Sequence, residues 1–74
     1  MTLENYKKNV RFVKALLQPL TIAANENIKK LDYELRHDNE EFVIITYTNN
    51  YTRKVCVTCD SLRAIALDVI EQMH

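Results

Sequence analysis

Phe42-Val43-Ile44-Ile45-Thr46-Tyr47-Thr48-Asn49-Asn50-Tyr51-Thr52-Arg53-Lys54-Val55 is the stretch on which the fold turns. Its first half is dense in β-branched and aromatic side chains, as a central strand requires, and its second half alternates polar with apolar. Between them Asn49-Asn50 supplies the residue type that tolerates positive φ when glycine is absent. A two-residue loop there pairs Thr48 with Tyr51, hence Ile44 with Val55 and Phe42 with Val57. Upstream, Ile28 to His37 alternates, with Leu31, Tyr33 and Leu35 on one side and Lys30, Asp32, Glu34 and Arg36 on the other. A second two-residue loop at Asp38-Asn39 pairs His37 with Glu40, hence Leu35 with Phe42 and Tyr33 with Ile44. The two turns agree on one expected core face: Leu31, Tyr33, Leu35, Phe42, Ile44, Val55 and Val57.

That register carries a functional expectation, because a one-residue slip inverts every side chain of a strand. The opposite face has Asp32, Glu34 and Arg36 on one edge and Thr52, Lys54 and Cys56 on the other, with Val43, Ile45 and Tyr47 between. If both helices cover the core face, these three form an apolar strip open to water, and such patches ringed by polar residues mark contact surfaces. The residues expected to bind protein are therefore Val43, Ile45, Tyr47, Lys54 and Cys56.

Helices flank the strands. Thr2 can cap a first helix whose stripe runs Leu3, Tyr6, Val10, Val13, Leu17 and Leu20, widened by Phe12 and Leu16. Pro19 is expected to kink or break it and to start a short second piece ending near Asn25. Asp60 or Ser61 caps a last helix with Leu62, Ile65, Ala66, Val69, Ile70 and Met73 inward. The reading is a single domain over residues 1–74, α+β in class: a two-layer α-β-β-β-α fold with a three-stranded antiparallel meander.

Composition removes several functions. Ten Lys plus Arg balance ten Asp plus Glu over 74 residues, so no basic arm or acidic tail advertises nucleic acid or membrane. Glycine is absent, which removes the usual phosphate-cradling loops and nucleophile elbows, where a Cβ would clash. No apolar run reaches the ~20 residues that span a bilayer. The start Met1-Thr2-Leu3-Glu4 lacks a signal peptide's basic and apolar regions, and two cysteines are too few for a disulfide scaffold. The expectation is a cytoplasmic protein.

Candidate chemistry is sparse. Cys56-Val57-Thr58-Cys59 has the two-cysteine spacing of zinc ribbons and redox sites, but the second pair a structural zinc needs is missing. His37, Glu40 and Cys59 fall in one row across the three strands, with His37 and Cys59 about two strand spacings apart, too far for thiol activation. Asp38, Glu40 and Glu41 cluster at a hairpin tip in water, where no cleft shifts a carboxyl pKa. No enzyme, metal or cofactor is expected. Lys7, Lys8, Arg11 and Lys14 line the polar side of the first helix and are the candidates for nucleic-acid binding.

The α-β-β-β-α order and the length resemble the double-stranded RNA-binding domain, which reads A-form RNA with its first helix, its first strand loop and a basic start to its last helix. Here that loop is the acidic His37-Asp38-Asn39-Glu40-Glu41, and the last helix opens Asp60-Ser61-Leu62-Arg63 with one positive charge. The hairpin from Phe42 to Val55, with Val57-Thr58-Cys59-Asp60-Ser61-Leu62 after it, also resembles small accessory proteins of phages and mobile elements of low-GC bacteria. That resemblance implies a phage protein that binds and blocks a host macromolecule, as anti-CRISPR proteins do. The expected function is non-catalytic binding to a protein partner or to itself as a homodimer, with nucleic acid as the alternative and no role at a membrane.

Overall fold

A computed structural model of the chain describes residues 2–58 and 61–73. Its elements run α1 (Leu3–Arg11), a π-helical turn (Phe12–Leu17), α2 (Gln18–Ala24), β1 (Ile28–Leu35), β2 (Glu41–Tyr47), β3 (Thr52–Cys56) and α3 (Leu62–Gln72). The strands form one antiparallel sheet in the order β1-β2-β3, which is the expected α+β fold.

Each hairpin loop has three residues, one more than the sequence reading assumed. Arg36 N–H donates to Glu40 C=O and Asn39 N–H to Arg36 C=O; Tyr47 N–H donates to Tyr51 C=O and Asn50 N–H to Tyr47 C=O. The loops are therefore His37-Asp38-Asn39 and Thr48-Asn49-Asn50. Their third residues carry the positive φ, 67° at Asn39 and 69° at Asn50, the geometry of a tight turn followed by one left-handed residue. In each loop the middle side chain holds the chain two residues on: Asp38 accepts from Glu40 N–H and Asn49 from Tyr51 N–H.

One extra residue in each loop slips both registers by one. Leu31 pairs with Ile45, Tyr33 with Val43, and Val43 with Val55. β1 and β3 keep the faces expected of them, and β2 alone is turned over. Val43 and Ile45 are 0% exposed, so the expected water-facing strip lies in the core under the helices, and Tyr47 packs against that core. Phe42 and Ile44 take the outer face instead. Burying Val43 and Ile45 stabilises the fold by about 1.5–3 kcal/mol each, but Phe42 and Ile44 would supply as much in the other register, so it is the three-residue loops that set which pair turns inward. At Lys29 a bulge between Ile28 and Lys30 brings Ile28 to the core side along with Leu31.

Pro19 does not break the first helix. The backbone stays helical from Leu3 to Ala24 by widening just before the proline, where Gln18 N–H donates to Val13 C=O, five residues back. Asn9, Val13, Leu17 and Thr21 are the buried positions, in strides of four. In a uniform α-helix a stride of four drifts about 40° per step; the wider turns underwind the helix and keep these positions on the sheet. Leu3, Leu16 and Leu20 on the first helix, Ile70 on α3 and Leu35 at the end of β1, all expected inside, are exposed. Ile65, Val69 and Met73 repeat the same stride on α3. Thr2 Oγ1 accepts from Asn5 N–H and Ser61 Oγ from Ala64 N–H, capping both helices as expected.

Candidate protein-docking surface

The outer sheet face is apolar at its centre and polar around it. Phe42 and Ile44 occupy β2 there, each partly buried, with Lys54 and Cys56 on β3 as expected. Their own neighbours cover them. The Arg36 guanidinium lies 5.7 Å and the Lys54 ammonium 5.9 Å from the Phe42 ring centre, and Lys54 reaches across to Glu34 at 3.4 Å. Long cationic stems laid over a ring shield it from water while the charges stay wet.

The helical layer is different. Helix-borne Leu3, Leu16, Leu20, Ile22, Leu67 and Ile70 are exposed. Which way four of them point follows from the strides of four. Residues one place after a buried position flank it on one side, and residues one place before flank the other. Lys14 and Gln18, each one after, reach Leu31 on the free edge of β1. Lys14 Nζ donates to Leu31 C=O at 2.6 Å and to Gln18 Oε1 at 2.8 Å, and Leu31 N–H donates to Gln18 Oε1 at 2.9 Å. That flank looks outward, so Lys8, Phe12, Leu16 and Leu20, each one before, look inward over the sheet.

On that side lies α3, which packs on β3. The two helices run parallel: the first passes from Tyr33, bonded to Asn9, toward Ile28, and α3 ends where Gln72 C=O accepts from Arg53 and Met73 C=O from Asn25. For a parallel neighbour the facing flank is the residue after each buried one, here Ala66 and Ile70. Both helices pack on the sheet more than on each other. The helical strides thus assign to the facing flanks, and so to the cleft between two helices lying on one sheet, Phe12 and Ala66, which pack against the core, and the exposed Leu16 (64%), Leu20 (61%) and Ile70 (37%), with Leu67 (56%) on the crest of α3.

The basic residues divide. Lys14 is part of the fold through Leu31, Gln18 and Asp32, 3.2 Å away, so the expected patch of four loses a member. Lys7, Lys8 and Arg11 are exposed. The acids at the first hairpin divide too. With β2 turned over, Glu41 lies 5% exposed on the core side, where its carboxylate accepts from Tyr33 Oη, and Tyr33 Oη accepts from Asn9 Nδ2 at 3.2 Å. Burial, and then the bond to Glu41, push the Tyr33 phenol well above its ordinary value.

A concavity of about 550 Å³ lies at the second-hairpin end, between Asn25, Asn27, Tyr47, Tyr51, Arg53 and Met73. Two of its polar side chains, Asn25 and Arg53, close the C-terminus of α3, whose last carbonyls would otherwise lack donors. Cys56 is exposed, with Sγ 3.5 Å from Thr58 Oγ1. Cys59 and Asp60 lie outside the described residues. His37 sits within its loop and not across from Glu40, so the expected row is not assembled. Among the described residues no three His, Cys, Asp or Glu side chains gather as metal ligands, and no helix is long and apolar enough to cross a membrane. Comparisons with protein families, curated proteins and solved structures found no match to this chain.

Proposed function

We propose that this chain is a non-catalytic interaction protein that docks a helical segment of a partner protein into the groove between its two helices. The observation that supports this is the exposure of Leu16, Leu20 and Ile70 along the walls of one groove in a domain of 74 residues. A helix laid there reads as an amphipathic ridge inserting between two others, and water is released from every apolar wall at once. Binding with no chemistry of its own suits an inhibitor or modulator of a host macromolecule, the role implied by the resemblance to phage accessory proteins.

Titrating an amphipathic peptide with leucines on one face and glutamines on the other into isotope-labelled protein tests the site. Amide shifts should move at Phe12, Leu16, Leu20, Ala66 and Ile70, and Leu16→Glu should abolish them. Shifts confined to Phe42, Ile44 and Lys54 would transfer the function to the outer sheet face. The competing reading is nucleic-acid binding through Lys7, Lys8 and Arg11, which the exposure of these three favours. It requires duplex RNA to bind with an affinity that falls steeply as salt rises, and no binding at low salt removes it.

A further inference from the structure

Resting on that reading, we infer that the groove selects a partner helix whose apolar ridge is flanked by acidic side chains. The walls alone would accept any leucine-rich ridge; the charges around them do not. Lys8 lies on the groove-facing flank of α1, one place before the buried Asn9, and Arg11 on the crest beside it. Arg63 stands on the crest of α3 at the same end of the groove. All three are exposed, and among the described residues the ion pairs are Lys14–Asp32, Lys30–Asp32 and Lys54–Glu34, none of which involves them. Among the described residues Glu4 is the helix-borne acid at that end, with Asp38 and Glu40 exposed on the first hairpin beyond it, and Glu71 stands on the α3 crest toward the other. Asp68, one place before Val69, lies on the flank of α3 turned away from the groove. The described charges that the two helices carry at this opening are thus mostly basic, although the chain as a whole is neutral.

Charge around an apolar site governs which partner is admitted more than how tightly it is held. An acidic flank would find Lys8, Arg11 and Arg63 without partners to displace, whereas a basic flank would meet like charge at the rim.

The test uses two synthetic 18-residue amphipathic helices with the same leucine ridge, one flanked by glutamates and one by lysines, titrated into the full chain with amide shifts as readout. The glutamate peptide should bind at the groove about tenfold more tightly than the lysine peptide at low salt, with the gap closing as salt rises. The double variant Lys8→Glu/Arg11→Glu should reverse the preference, and Leu16→Glu should remove binding of both. These positions are exposed, so circular dichroism should show all variants folded. Equal affinities, or a preference for lysine, would overturn the inference while leaving the groove as the site if Leu16→Glu still abolishes binding. Loss of neither peptide in Leu16→Glu would overturn both. Two further outcomes overturn the acidic-partner inference: concentration-dependent dimerisation that Leu16→Glu abolishes, since the occupant is then a second copy, and groove-side shifts produced by duplex RNA.

Discussion

The outer sheet face and the interhelical groove are both apolar at their centres, and they differ in what lies over them. On the sheet, Phe42 is roofed by Arg36 and Lys54, and Lys54 is tied to Glu34. In the groove, Leu16 and Leu20 stand more than 60% exposed, with the nearby cations outside the ion pairs of the described residues and Lys14 turned to the other, outward flank. An apolar centre covered by its own long charged neighbours is already close to satisfied. One left bare by strides of four on two parallel helices is not. Alternation along a strand is therefore a poor guide to stickiness unless the neighbours' reach is counted too.

The comparison rests on β2 being turned over, and Ile45→Glu breaks it with the largest effect. The side chain is fully buried, and an unpaired carboxylate there costs about 4–5 kcal/mol or more. A folded chain of 74 residues has roughly 4–11 kcal/mol in total at the usual 0.05–0.15 per residue. Urea titration should find the variant largely unfolded. A folded Ile45→Glu protein would restore the register with two-residue loops and place the apolar strip on the outer face.

That register marks where sequence reasoning stopped. The element order, the caps at Thr2 and Ser61, and the inward faces of β1 and β3 were legible, because each follows from local pattern. Two independent turns agreed on the wrong face for β2 because the same error entered both. Asn49-Asn50 and Asp38-Asn39 look like two-residue loops, and only the third-position φ reveals the extra residue. β2 itself could not arbitrate, since Phe42, Val43, Ile44 and Ile45 are apolar on both faces. Glu41 was a usable signal: a register that puts it inward demands a donor, and Tyr33 on β1 is the donor in reach. The groove was hidden for a related reason. A 3.6-residue stripe places Leu20 inside, and the widened turn before Pro19 moves it out.

Tyr33→Phe probes the inverted strand at lower cost. It deletes the hydroxyl between Asn9 and Glu41, and removing one partner of a buried polar pair costs about 1–3 kcal/mol. It also changes the alkaline limb of stability. The phenol's folded pKa is raised above the unfolded value of 10.0, so its contribution is complete below about pH 10 and is lost as pH climbs beyond. The wild type should lose urea resistance above pH 10 more steeply than Tyr33→Phe; parallel curves would mean that the phenol is not held in its neutral form.

Asn50→Ala tests the handedness of the second loop. A Cβ-bearing residue without asparagine's local hydrogen bonding pays about 1–2 kcal/mol in the left-handed region, where Asn50 sits at φ 69°. Asn50→Gly should be neutral or slightly stabilising by melting temperature. Equal losses for alanine and glycine would point to the side chain's contacts instead of the backbone's handedness.

The smallest effects on stability fall on the two surfaces under comparison, and there the pairing of variants matters more than either alone. Leu16→Glu replaces an exposed side chain and should shift the urea midpoint by no more than about 0.5 kcal/mol. Ile44→Glu, partly buried beside Asp32 and Lys54, should cost about 1 kcal/mol, because the new carboxylate gains Lys54 yet meets Asp32 across the β1 pairing. The variant that disturbs folding more should disturb binding less: an amphipathic peptide should bind Ile44→Glu as it binds the wild type and fail on Leu16→Glu. A site defined by residual exposure demands that inversion, since side chains already roofed by their neighbours have little water left to release, whereas bare groove walls release theirs only when a partner arrives. If Ile44→Glu were the variant that lost the peptide, Arg36 and Lys54 would have to swing off Phe42 on binding, and the cover would be a gate.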